Sequence, residues 1–285
     1  MRIALDKQKE LPARFLALGF IVAFILLFWP TFLWMAERFD AHDSFYSHGW
    51  LIPVASAWLI WQRREALKSI APHDSFYGML LLVPAVIVHI LASWWKVGFL
   101  SGFSMIFVVW ALVWTIFGFQ VLQILRFPML FLLFMVPVPG VLLIATSFHM
   151  KMIAAGLASR CINLMGINAI HSGSTIYVPG IAVVVDDTCS GLRSLISLIA
   201  LSVLWLELMP KSSKAWQKLA LVACSIPIAL IANMVRIVML VILSAIYGPK
   251  IADSFIHYGS GIVVFGIAIL ALAWLSKLLV GKTNV

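Results

Sequence analysis

From Val97 to Phe119 the chain runs 23 residues without one Asp, Glu, Lys or Arg. Coiled at about 1.5 Å per residue, such a run reaches about 34 Å, enough to cross a hydrocarbon layer about 30 Å thick. No water is available there for backbone N–H and C=O groups, so runs of this length must be helices. Similar runs predict spans at 15–35, 46–62, 76–95, 97–119, 127–145, 190–209, 219–246 and 255–278, the second short and broken by Pro53. Composition agrees: 63% of residues are apolar and 11% charged, against about 45–50% and about 25% in a soluble domain. The expected fold is an all-α polytopic membrane protein of about eight transmembrane helices, read as one integral-membrane domain over 1–285.

The net charge of +9 is first a statement about topology, and no nucleic-acid partner is called for. With the N-terminus inside, 13 Lys and Arg fall on the inner side and 5 on the outer, while Arg193 and Arg236 lie within spans. The excess of basic residues marks the cytoplasmic side. Both termini are therefore expected inside, as tails over 1–14 and 279–285. The first span is long and lacks a small-residue cleavage site after it, so it reads as a retained anchor. The 12 Trp suit a chain with many membrane interfaces.

The pattern changes after span five, where Pro137, Pro139 and Gly140 should break the helix near its outer end. Residues 141–166 read as an interfacial amphipathic helix with His149, Arg160 and Asn163 on one face. Thr175-Ile176-Tyr177-Val178, a Pro179-Gly180 turn and Ile181-Ala182-Val183-Val184-Val185 then read as a small β-hairpin before span six. His171-Ser172-Gly173-Ser174 reads as a turn. Residues 141–188 thus form an outer-side insert.

Cys189 follows the hairpin in Asp186-Asp187-Thr188-Cys189-Ser190-Gly191-Leu192-Arg193. A helix starting near Thr188 or Ser190 would aim its N-terminal dipole at this sulfur and favour the thiolate. Arg193, four residues on, would then share a face with Cys189. The alternative is a small packing residue, which is the reading for Cys224. Asp186 and Asp187 oppose a thiolate unless Arg193 or Arg236 compensates, or they serve to bind substrate or position an Arg. A Cys161–Cys189 disulfide is open in an oxidising compartment and would oppose thiol chemistry.

Arg236 lies well inside span seven, where a charge costs about 2.5–3.5 kcal/mol at a helix centre. It either locks the bundle through Asn233, a buried Asp or backbone carbonyls, or stabilises a thiolate or an acyl-transfer oxyanion. His257, at the outer end of span eight, is either an interfacial residue or a base, and Asp253 one turn earlier could orient it. The outer ends of spans six, seven and eight bring Cys189, Arg236 and His257 to one leaflet, supplying nucleophile, cation and base for acyl transfer. His42 and His48 would need further ligands to hold a metal. No HExxH, phosphate loop or GxSxG elbow occurs, and neither metal nor organic cofactor is called for.

Tyr46-Ser47-His48-Gly49 before a short span, Arg126-Phe127-Pro128 to Pro137-Val138-Pro139, Cys189-Ser190-Gly191-Leu192-Arg193, Asn233 to Arg236, and His257 together resemble an exosortase over roughly residues 40–265. The resemblance implies a bacterial inner-membrane cysteine protease and transpeptidase related to archaeosortases. Its substrates would be secreted proteins carrying a C-terminal signal of a Pro-Glu-Pro-like motif, a transmembrane helix and a basic tail, in systems linked to exopolysaccharide. It implies catalytic roles for Cys189, Arg236 and His257. Arg193, Asn233, Asp187, Asp253 and His48 are supporting or substrate-binding candidates, and a lipid or other amine is a possible acceptor. The rival is a transporter or scaffold of an envelope polysaccharide system with Arg236 and His257 on a polar path. It is disfavoured because the single clear helix break has no counterpart in the other half.

Overall fold

The computed structural model describes residues 2–41, 44–71, 73–187, 189–248 and 255–281, with side chains left aside at 2–17 and 255–258. Ten α-helices and three strands occur among them: α1 Arg2–Asp40, α2 Leu51–Gln62, α3 Arg64–Lys68, α4 Tyr77–Trp94, α5 Gly98–Phe117, α6 Phe119–Phe131, α7 Gly140–Leu164, β1 Ile170–Ser172, β2 Thr175–Val178, β3 Ile181–Val184, α8 Leu192–Leu208, α9 Ala215–Tyr247 and α10 Phe255–Gly281. A polytopic helical membrane fold is the result. Six helices among the described residues are long and apolar enough to cross a membrane, within α1, α4, α5, α7, α9 and α10.

The expected count of about eight changes for local reasons. Expected span five, 127–145, is not one helix. Gly118, at φ +84, ends α5 and starts α6 early, and Pro137 with Pro139 stops the chain after a 3-10 turn at Leu132–Met135. The apolar stretch Phe119–Met135 is therefore short, as are α2 with 12 residues and α8 with 17. At about 1.5 Å per residue, α8 covers only about 25 Å. Conversely α7, expected to lie in the interface, has 25 residues and the composition of a span. It still keeps the expected two faces: His149, Arg160 and Asn163 are exposed, whereas Ala154, Ala155, Ala158 and Ile162 are buried.

Two compact units divide the chain, Met1–Asp40 with Trp50–Pro137, and Ala41–Gly49 with Val138–Val285. In the first, α4 and α5 approach so closely that a Cβ on Gly78 would clash with Thr115 Oγ1 and stand 2.5 Å from Thr115 N. A buried polar chain joins α1, α4 and α5. His89 Nε2 lies 3.1 Å from the Leu27 carbonyl, which can only accept, so Nε2 donates. His89 Nδ1 then accepts from Ser101 Oγ at 2.9 Å, and Ser101 Oγ accepts from Thr31 at 2.6 Å. Pro128 inside α6 has no N–H for the carbonyl four residues back. Arg63 Nη1 donates to that Ile124 oxygen instead, at 2.8 Å.

In the second unit a three-stranded antiparallel meander, β1-β2-β3, replaces the expected two-stranded hairpin. The pairing of Thr175–Val178 with Ile181–Val184 through Pro179-Gly180 is as expected, with Gly180 at φ +88 supplying the turn. His171 and Ser172, expected in a turn, are in β1, because Gly173 at φ +63 lets Ser172 pair with Thr175. Ile176 and Val178 face inward onto Ala155, Ala158 and Ile162 of α7 and onto Ile237, Leu240 and Val241 of α9. Asn163 closes the α7 end with both arms of its amide, Nδ2 donating to the Ala169 carbonyl at 2.7 Å and Oδ1 accepting from the Ala169 N–H at 2.8 Å. A separate apolar cluster built on Leu198, Leu221, Ala229, Ala268 and Leu272 holds α8, α9 and α10 together.

The α4–α5 contact leaves no room for a methyl group. Gly78→Ala is expected to destabilise the protein by about 1–3 kcal/mol through overpacking, read as a lower unfolding temperature in detergent. Gly19→Ala, which meets nothing within 4 Å, is the control and should leave the temperature unchanged.

Candidate active site

Cys189 is not in a helix. It occupies a turn between β3 and α8, and α8 begins at Leu192 rather than near Thr188 or Ser190. The reason is Gly191, whose φ of +81 is left-handed and interrupts helical backbone just ahead of Leu192. The expected shared helical face of Cys189 and Arg193 therefore does not exist. Ser190 finishes the helix start, its Oγ accepting from the Leu192 N–H at 3.3 Å and donating to the Asp187 carbonyl at 2.8 Å. Cys189 is 5% exposed and belongs to the apolar cluster of α7, β2 and α9. None of Cys161, Cys189 and Cys224 is in a disulfide, so the Cys161–Cys189 bridge is not formed.

Polar contacts hold this turn from two sides. The Cys189 N–H meets Asp186 Oδ1 at 3.0 Å and the Asp186 carbonyl at 3.2 Å. The Cys189 carbonyl accepts from Asn233 Nδ2 of α9 at 2.9 Å. A Cβ on Gly191 would lie 2.7 Å from Asn233 Cγ and Nδ2, so the glycine serves both the backbone angle and this close approach.

Asp187 is tied to α7. Its Oδ1 accepts from Ser147 Oγ at 2.8 Å and pairs with Lys151 Nζ at 2.9 Å. These bonds, from Lys151 first and then Ser147, hold the Asp187 carboxyl below the usual carboxylate range. The acidic pair thus positions the Cys189 turn, and Lys151 compensates Asp187, where sequence reasoning looked to Arg193 or Arg236.

Arg236 sits on α9, three residues after Asn233 and so about one turn along the same helix. Its guanidinium lies against Gly261 of α10, where a Cβ would be 3.4 Å from Cζ. Between α8, α9 and α10 a cleft of about 30 Å³ is lined by Ser194, Leu198, Asn233, Arg236, Gly261 and Phe265 among others, room for a water molecule. Asn233 is the residue common to the cleft and the Cys189 turn. Residue 257 lies on α10 one helical turn before Gly261, but the His257 side chain is outside the described residues, and so is Asp253.

Arg193, the second residue of α8, is half-buried, and its carbonyl accepts from Ser197 Oγ at 2.8 Å. His48 reaches α8 at that same serine, with Nδ1 3.0 Å from Ser197 Oγ. The hydroxyl proton already goes to the Arg193 carbonyl, so Nδ1 must carry the donor hydrogen and Nε2 the lone pair. Nε2 is buried with no hydrogen-bond partner among the described residues. His48 lies ahead of α2, outside the six spans, and burial pushes its imidazole down to about 4, keeping it neutral near pH 7. Its ring stacks on Tyr46 at 5.6 Å. Tyr46 Oη accepts from the Val138 N–H at 3.3 Å, the one backbone donor between Pro137 and Pro139. Among the described residues no three His, Cys, Asp or Glu are grouped to hold a metal ion.

A family model for transmembrane exosortases matches residues 34–274. The chain belongs to that family. No curated protein and no solved structure matches it. The matched region contains every part of the site: the Tyr46–His48 segment, the Cys189 turn, Asn233, Arg236 and position 257.

Several contacts of this exosortase escape a reading by motif. Lys151 counted only as an outer-side charge, although its spacing of four from Ser147 on α7 puts both on one helical face. Ser197 and Gly261 carried no signal, since their roles arise from contacts across helices.

Two outcomes follow from this geometry. Gly191→Ala strains a left-handed position and pushes on Asn233, so it should cost about 1–3 kcal/mol and speed alkylation of Cys189 by a maleimide. An unchanged alkylation rate would mean that Asn233 does not hold the turn. The depressed Asp187 carboxyl contributes stability above its unfolded value of 3.8, and this is lost as pH falls through the lower folded value. Because that side chain is 54% exposed, the difference between wild type and Asp187→Asn should stay under about 1 kcal/mol. In melts from pH 7 to 3 the difference should shrink toward zero.

Proposed function

We propose that this exosortase is a cysteine protease and transpeptidase. It cleaves C-terminal sorting signals of secreted proteins, with a Pro-Glu-Pro-like motif, a transmembrane helix and a basic tail. The observation that carries the reading is Asn233, which grips the Cys189 turn and shares a cleft wall with Arg236 one turn away. Family membership supports it. In this scheme the protein lies in the bacterial inner membrane with both termini cytoplasmic and the site near the periplasmic face. The substrate's helix docks between spans.

The Cys189 thiolate attacks the scissile carbonyl carbon, and the carbonyl π electrons move to oxygen. Burial in an apolar cluster disfavours a thiolate, so the scheme relies on the cation of Arg236, which also holds the oxyanion with backbone amides. Collapse of the tetrahedral intermediate breaks the C–N bond, and His257 protonates the departing amine. The secreted domain is left as a thioester on Cys189. Water or an amine acceptor, a lipid among the candidates, then attacks the thioester carbonyl while His257 takes its proton, and the thiolate leaves.

The test is mass spectrometry of the new C-terminus of a co-expressed substrate. Wild type should cleave it, and Cys189→Ser and Arg236→Ala should each reduce cleavage by at least about 100-fold. An added mass identifies a transferred acceptor, and a free carboxylate identifies hydrolysis. Cleavage that persists in Cys189→Ala overturns the scheme.

A further inference from the structure

Asn233 has one polar atom that the Cys189 turn does not use. Its carboxamide orientation is settled by chemistry, because the Cys189 carbonyl can only accept and therefore faces Nδ2, 2.9 Å away. Oδ1 is consequently the other end. It is buried, in a residue only 5% exposed, and has no hydrogen-bond partner among the described residues. Buried acceptors in folded proteins nearly always have a donor. Asn233 also lines the cleft that Arg236 lines, so the wall carries an acceptor and a cationic donor about one helical turn apart.

From these observations we infer that Asn233 Oδ1 accepts the backbone N–H of the substrate residue whose carbonyl is attacked. The inference rests on the cleavage reading above and assigns Asn233 a second role, in substrate binding. Its logic is the geometry of an extended peptide. In a strand, the N–H and C=O of one residue point to the same edge, which is why two opposed residues of an antiparallel pair exchange both bonds. A wall offering one acceptor and one donor therefore matches one residue of an extended substrate, its C=O to Arg236 and its N–H to Asn233 Oδ1. The cleft as it stands has room for a water, and the substrate N–H takes that donor position once α8, α9 and α10 part to admit the peptide. A secondary amide is thereby distinguished from an ester, and a proline at this substrate position is excluded because it has no N–H.

The experiment replaces that one substrate residue by its α-hydroxy acid, which exchanges the N–H for an oxygen and leaves the scissile amide intact. The same replacement is made at the two residues before it. Cleavage by the full-length enzyme is measured as kcat/KM. Wild type should lose at least about 10-fold at the attacked residue and little at the other two. Asn233→Ala, which removes acceptor and clamp together, should cleave its amide and ester substrates within about 3-fold of each other, however slow it is. Asn233→Asp loses the clamp and keeps an acceptor, so it should retain the amide preference. A residue that acted only by holding the turn would lower all rates and leave this ratio as in wild type.

Equal wild-type rates on amide and ester overturn the inference and leave the protease reading standing. An undiminished amide preference in Asn233→Ala overturns it as well. Failure of wild type to cleave the amide substrate removes the protease reading and the inference together.

Discussion

A chain surrounded by hydrocarbon has to satisfy its own backbone, because each unpaired N–H or C=O there costs several kcal/mol. Where helices are continuous this happens automatically. Where prolines or glycines interrupt them, side chains take over, and in this exosortase those side chains organise the fold. Arg63 serves the Ile124 carbonyl that Pro128 leaves open. Tyr46 serves Val138 between two prolines, and Asn163 serves both groups of Ala169. Asn233 does the same for the carbonyl of Cys189. The residues that look like chemistry and the residues that mend broken backbone overlap, since both are polar groups the membrane tolerates only with partners.

The Cys189 turn shows how such repairs become a site. A helix starting at the cysteine would have used its carbonyl inside α8. Gly191 prevents this, leaving that carbonyl for Asn233, while the N–H goes to Asp186. The turn is then bound to α7 through Asp187, Ser147 and Lys151, and to α9 through Asn233. Two acids next to a thiol are electrostatically awkward in isolation. Here Lys151 neutralises Asp187, while Asp186 accepts from the cysteine's own N–H, and both acids hold the backbone of the turn.

His48 illustrates a different route to one protonation state. Its tautomer follows from a single hydroxyl proton, the one Ser197 gives to Arg193, and its neutrality follows from burial. The segment from Tyr46 to His48 thereby docks on the first turns of α8, beside the helix start that the Cys189 turn shapes.

The helical membrane class, the break at Pro137 to Gly140 and the pairing of Thr175–Val178 with Ile181–Val184 were legible in the sequence, because length, hydropathy and turn residues act over short distances along the chain. Cys189, Asn233 and Arg236 could be singled out because polar groups in apolar runs are costly. Other features depended on neighbours that sequence separation hides. Expected span five failed because Gly118 moved the helix boundary upstream, and His171 became a strand residue because Gly173 allowed a second hairpin. The supposed face shared by Cys189 and Arg193 vanished because a left-handed glycine lies between them, in a turn whose Cys189 carbonyl is held by Asn233, more than 40 residues away. Length and hydropathy along the chain suffice to make it a bundle of membrane helices with a cysteine and an arginine among them. That Asn233 reaches the Cys189 turn while lining a cleft with Arg236 follows from packing, because a hydrogen bond between distant segments depends on how helices meet.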